Sequence, residues 1–183
     1  MKKIVSILLA VAMVMACAVS AFATEAEVVE IDWAEIEAQA ADTVAKGEFV
    51  NFDEIALVMW VPSVLAATEL TDEDREQGYI AYFAPEDQSA AVSVMYVDVD
   101  GMTLEEYAAT LAENGATDIE FANVNGLAAI TYVLEETDTA CAAFTTEAGY
   151  IFEVAGSPKS DEGFASILSL MVASIQAEAE EEA

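Results

Sequence analysis

Asn125-Gly126, set between DIEFANV and LAAITYVL, is the most restrictive feature of the chain. A two-residue link between strand-like runs closes a tight hairpin only where both residues accept positive φ, and this pair does so at low cost. The segment therefore predicts two adjacent antiparallel strands. The same alternation recurs along the chain. A strand period begins near Glu48; in EIALVMWVP it puts Ile55, Leu57, Met59 and Val61 on one side and Ala56, Val58 and Trp60 on the other. Pro62, which donates no ladder hydrogen bond, ends that run. GYIAYFAPED and SAAVSVMYVDV follow, joined by the polar turn Pro85 to Gln88. CAAFTTEAG and YIFEVAG form another pair around Glu147 to Gly149, with Tyr150, Phe152 and Val154 on one face and Glu153 on the other.

Helical spacing appears in three places. Asp32 caps DWAEIEAQAADTVAKG with Glu35 closing a capping box; Trp33, Ile36, Ala40 and Val44 form its stripe, and Gly47 is the stop. Thr103 and Glu106 make a second capping box ahead of Leu104, Tyr107, Ala108 and Leu111, and Asn114-Gly115 ends that helix. Phe164, Ile167, Leu168, Met171 and Ile175 form the last stripe, sealing an apolar sheet face. SVLAATELTDEDREQ reads as a connection with a helical turn from Thr71 to Glu76, and TEAEVVE as a loosely attached polar lead. Strand runs joined by short polar turns favour an antiparallel β-sheet with packed helices over a parallel βαβ array.

The amino terminus predicts export. Lys2 and Lys3, an apolar run from Ile4 to Val19 and Ala21-Phe22-Ala23 match a secretory signal peptide, residues 1–23. The alternative is lipid anchoring through Cys17, which Met15 fits poorly. The expected organisation is an N-terminal segment and amphipathic helix over 24–47, a single domain over 48–176 and an acidic tail over 177–183. From Thr24 onward three bases, Lys46, Arg75 and Lys159, stand against 35 acids. Such a surface repels phosphate backbones and anionic lipid, which excludes nucleic acid as a partner and leaves a solvated surface or a basic partner. No transmembrane span is expected in the mature chain.

Composition also narrows the chemistry. There is no histidine, so histidine triads and histidine-ligated zinc are excluded. Cys141 is the only cysteine after the leader and sits in the apolar run CAAF, where a small core residue is the plainer reading than a nucleophile. No P-loop or dinucleotide fingerprint is present. Paired carboxylates for a hydrolase occur by chance in so acidic a chain. Trp60 and Tyr82 are the candidates for stacking on a ligand, against the plainer role of strand packing. Asp98, Asp100 and Glu105 in DVDGMTLEE are the candidates for a surface calcium site, although the loop lacks the twelve-position pattern and its helix starts early.

The order of these features resembles the PsbP/Mog-like superfamily, in particular its small secreted bacterial members. The resemblance rests on Trp60-Val61-Pro62, GYIAYFAPED, AVSVMYVDV, the TLEEYAATL helix, the Asn125-Gly126 hairpin, GYIFEV and the closing ASIQ, from about Phe49 to Gln176. It implies an α/β/α sandwich built on an antiparallel sheet, and protein association without a shared catalytic constellation. It carries no binding residue over to this chain. The expected function is a secreted noncatalytic interaction or accessory domain with an extracellular or cell-envelope protein partner. The alternatives are a small-ligand or calcium-binding module and, more remotely, a carboxylate-based hydrolase.

Overall fold

The structure, a computed structural model, describes residues 28–40, 46–53, 55–146 and 149–178. The predicted leader with Cys17, Val44 of the first helical stripe and residues 179–183 lie outside them. In chain order the elements are β1 (Val29–Ile31), α1 (Trp33–Ala40), β2 (Gly47–Phe52), β3 (Leu57–Pro62), β4 (Ala66–Ala67), α2 (Asp72–Glu76) and β5 (Tyr79–Ala84). Then come β6 (Ala91–Asp98), α3 (Leu104–Glu113), β7 (Thr117–Val124), β8 (Leu127–Leu134), β9 (Thr139–Thr145), β10 (Tyr150–Ser157), α4 (Glu162–Ala173) and β11 (Gln176–Ala177).

The hairpin forms where the sequence places it. Asn125 and Gly126 have φ of +51° and +87°, and Val124 faces Leu127 across the turn. Valine at Gly126 would have to hold a left-handed backbone with a β-branched side chain, costing about 2 kcal/mol. Gly126→Val is therefore expected to lower the midpoint of thermal unfolding by roughly 4–8 °C; an unchanged melting curve would refute the turn.

From this hairpin grows an eight-stranded sheet in the order β1-β7-β8-β9-β10-β6-β5-β4. Every pairing in it is antiparallel except β1 with β7, where Val29 to Ile31 run parallel to Ala122 to Val124. Val29 and Glu30 of the expected loose lead, together with Ile31 after it, are thus an edge strand. It is only three residues long, too short for its alternation to stand out, and the pairing partner lies some ninety residues away.

One sheet face carries Phe144, Phe152, Val92, Val94 and Val124 against α4 and a second, three-stranded sheet ordered β11-β3-β2. The predicted stripe of α4 does seal this face: Leu168, Met171 and Ile175 are buried, and Asp161 Oδ1 caps the helix by accepting from the Phe164 amide at 2.9 Å. The opposite face buries Ile130, Tyr132, Cys141 and Ile151 beneath Leu104 and Ala108 of α3. Two faces covered by different elements give a mixed α/β sandwich. The small sheet departs from the all-helical cover that the sequence suggests. It exists because β3 is apolar on both sides, burying Leu57, Met59, Trp60 and Val61 together, so it needs cover on each.

Gly47 opens β2 instead of stopping a helix. A Cβ there would stand 2.5 Å from the Trp60 ring and from the Val61 carbonyl oxygen, so close approach is what requires glycine at this position. At the other end, Ala177 pairs with Leu57 and the Glu178 amide donates to Ala56 O at 2.8 Å, so the acidic segment begins inside the small sheet.

Candidate functional site

The face under α3 gathers a carboxyl, two phenols and a thiol, and the phenols and the carboxyl are engaged with each other. Glu153 projects from β10 on the side away from Phe152 and Val154, as its alternation predicts. Its Oε2 accepts hydrogen bonds from the Tyr107 hydroxyl of α3 at 3.0 Å and from the Tyr132 hydroxyl of β8. Cys141 lies directly across from Tyr132 in the β8–β9 register and is 2% exposed. Burial, with the Glu153 carboxylate second, pushes its thiol up to about 12. Both phenols are likewise held above their ordinary range, by burial first and by Glu153 next. A thiol held protonated in the core is a poor nucleophile.

Beyond α3 the same face opens over β5 and β6. Here a cleft of about 360 Å³ is lined by Thr68, Glu69, Asp74, Tyr79, Tyr82 and Ser93, with Leu70 beside them. Tyr82 faces Ser93 in register. Tyr79 stands three residues earlier, a spacing that in a regular strand sends two side chains to opposite faces. An irregularity between Tyr79 and Ala81 shifts the register by one residue, and both tyrosines line the cleft. Gly78 at φ +91° precedes the irregularity, and its carbonyl accepts from the Tyr96 amide at 2.8 Å. Sequence alternation selects Tyr82 and misses Tyr79; the glycine before a strand is the one signal pointing to a bulge.

The wall of this cleft is α2, the predicted helical turn, and the structure adds a capping box at Thr71. Asp74 Oδ2 accepts from the Thr71 amide at 2.8 Å and from its hydroxyl at 2.7 Å. Those bonds, with a small contribution from Arg75, hold the Asp74 carboxyl below its ordinary value. A general acid for glycoside hydrolysis is shifted the other way. Among the described carboxyls with a resolved shift only Glu120 moves upward, by burial and then Asp118, and it lines neither this cleft nor the next.

A second, wider cleft of about 570 Å³ lies where β1 meets α1, lined by Glu30, Ile31, Asp32, Glu35, Asn125 and Gly126. Asp32 Oδ1 is engaged in capping α1 through the Ala34 amide at 2.8 Å.

The structure separates the sequence candidates. Trp60 is 6% exposed and packs beside Trp33 with ring centres 6.3 Å apart, inside the core and away from the cleft that Tyr82 lines. Asp98 and Asp100 form a local turn in which Asp98 Oδ1 accepts from the Asp100 amide at 3.0 Å, while Glu105 lies exposed in the first turn of α3. Glu106 closes the capping box with Thr103 as predicted. Among the described residues no three His, Cys, Asp or Glu side chains come together as a metal-holding group, and no helix is long and apolar enough to cross a membrane.

No family model matches this chain, and no curated protein matches its sequence. Among solved structures it is similar to the cyanobacterial PsbP (CyanoP) of Synechocystis sp. PCC 6803, at 13% identity and a TM-score of 0.53, covering 73% of this chain and 94% of that one. It is also similar to the Ran-binding protein Mog1p of Saccharomyces cerevisiae and to a Mog1 mutant. Each is 13% identical with a TM-score of 0.40, covering 74% of this chain and 97% of the other. The CyanoP likeness speaks to the fold alone: a remote PsbP/Mog-like topology.

Proposed function

We propose that this chain is a secreted, noncatalytic association domain, akin to the small secreted bacterial members of the PsbP/Mog-like superfamily, and that it holds a basic extracellular or cell-envelope protein. The observation that carries the reading is a division of labour between the two parts of one sheet face. Cys141, Glu153 and two tyrosines are consumed under α3, whereas the open part presents phenol rings and carboxylates to solvent. The excess of acids over bases from Thr24 onward supports a basic partner, because complementary charge steers encounter and rejects acidic competitors. The predicted leader supports the location.

The test is capture of purified cell-envelope proteins of differing isoelectric point on immobilised chain Thr24–Ala183, followed through a salt series. Saturable binding of one basic protein that persists at about 0.15 M salt is the expected result; at that ionic strength screening reaches within roughly 8 Å. Uniform capture of every basic protein, abolished by salt, would reduce the surface to an ion exchanger and overturn the proposal.

A further inference from the structure

We infer that the cleft lined by Tyr79, Tyr82, Glu69 and Asp74 receives one cationic side chain, arginine in preference to lysine, from the partner; this deepens the association reading above and rests on it. Three properties meet in that space. Two phenol rings line it, and the face of an aromatic ring attracts a cation within about 6 Å. Two carboxylates line it as well, and the hydroxyls of Thr68 and Ser93 can accept further N–H donors. None of the described bases Lys46, Arg75 and Lys159 lines it, and Arg75 acts on Asp74 only as the smallest of its influences.

Size and shape decide the occupant. At about 360 Å³ the cleft stands at the lower end of small-molecule sites, room for a side chain and its flanking backbone. A planar guanidinium can stack on a ring and still direct its edge donors to carboxylates, which a compact ammonium does less well. The rival sites lack this combination. The cleft at β1 and α1 has acids but no aromatic ring, and its asparagine is fully engaged in the fold. The Tyr107–Glu153–Tyr132 group has rings and an acid but lies beneath α3.

The experiment titrates Thr24–Ala183, carrying carbon-13 in its tyrosine rings, with acetyl-Gly-Arg-Gly-amide and with the same peptide bearing citrulline, the uncharged isostere of arginine. The arginine peptide is expected to shift the Tyr79 and Tyr82 resonances saturably, and the citrulline peptide to bind about tenfold more weakly. Tyr82→Leu and the exposed Glu69→Gln should each weaken binding about threefold, while Glu86→Gln in the β5–β6 turn leaves it unchanged. Glu69→Gln keeps the test valid if Tyr82→Leu proves unstable. Equal shifts from the two peptides, or a titration that moves neither cleft tyrosine, would overturn the assignment. Capture of the basic protein at undiminished affinity by Glu69→Gln and Tyr82→Leu would overturn the cleft but leave association standing. An intact arginine titration with no saturable protein capture would do the reverse.

Discussion

Replacing Asn125 with glycine is expected to destabilise the protein by roughly 3 kcal/mol, at about 1 kcal/mol for each of three lost hydrogen bonds. Glycine keeps the left-handed turn, so the loss isolates the side chain. Asn125 Oδ1 accepts from the Trp33 amide at 2.7 Å, taking up a free donor at the start of α1. Its Nδ2 donates to Ala173 O at 2.8 Å and to Ile175 O at 2.7 Å, taking up acceptors at the end of α4. Asn125→Asp should cost more, about 4 kcal/mol at neutral pH, because a carboxylate cannot donate and would face two carbonyl oxygens. The sign of its pH dependence follows. A carboxyl facing carbonyl oxygens has a folded pKa above its unfolded one, so it binds a proton more tightly when folded. The handicap of Asn125→Asp therefore shrinks as pH falls toward 4, while that of Asn125→Gly does not. Urea unfolding at pH 7 and pH 4 checks both; a loss below about 0.5 kcal/mol for Asn125→Gly would show that water replaces the side chain freely.

That one residue explains how the two covers of the sheet are kept in place. The turn is local, but its asparagine reaches helices 92 and about 50 residues away in sequence. The end of α4 in turn holds β3: Ser174 Oγ accepts from the Trp60 amide at 2.8 Å and donates to Met171 O at 2.6 Å. The second sheet is thus attached through polar groups that are fully paired, around a core of Trp33, Trp60, Phe52 and Phe152.

Signals carried by a residue and its near neighbours were legible in the sequence. The hairpin, the capping box at Thr103, the stripe of α4 and the burial of Cys141 all follow from spacing of a few residues. What needed distant partners was hidden. β1 and β4 are two or three residues long and become strands only because an edge of β7 or β5 is free to pair. Trp60 was a candidate for stacking on a ligand, and the structure gives it the plainer role of packing, beside Trp33 in the core. In the cleft, Tyr82 was readable and Tyr79 was not, since a register shift breaks the alternation on which the reading depends. The side chain of Asn125 shows the same limit: its turn preference is local, its hydrogen bonds are not.

Tyr132→Phe is expected to destabilise by about 2 kcal/mol and Tyr107→Phe by somewhat less, because each removes a hydrogen bond to the partly buried Glu153 side chain. The cost lies in leaving Glu153 short of donors, so removing the whole group should be milder than removing one member. Tyr107→Phe, Tyr132→Phe and Glu153→Leu combined should return to within about 1 kcal/mol of the parent. Alkali tests the same arrangement from the other side. The folded pKa values of Cys141, Tyr107 and Tyr132 are all raised, from ordinary values of 9.0 for the thiol and 10.0 for the phenols. Their contribution is therefore complete below pH 9 and is lost as pH climbs through the folded values, with a slope of about 1.4 kcal/mol per pH unit for each proton retained. The four groups that face one another here are Glu153 from β10, Tyr107 from α3, Tyr132 from β8 and Cys141 from β9, and none supplies a positive charge to offset the new anions. Cys141→Ala should move the onset of alkaline unfolding from about pH 9 to about pH 10, and Tyr132→Phe should flatten the curve above that. Tyr96, also shifted upward by burial and by its stacking partner Tyr150, belongs to the opposite face and keeps a residual slope in both variants. A parent stability that stayed level from pH 8 to pH 11 would mean that water already reaches this group, and that α3 is not the seal over it.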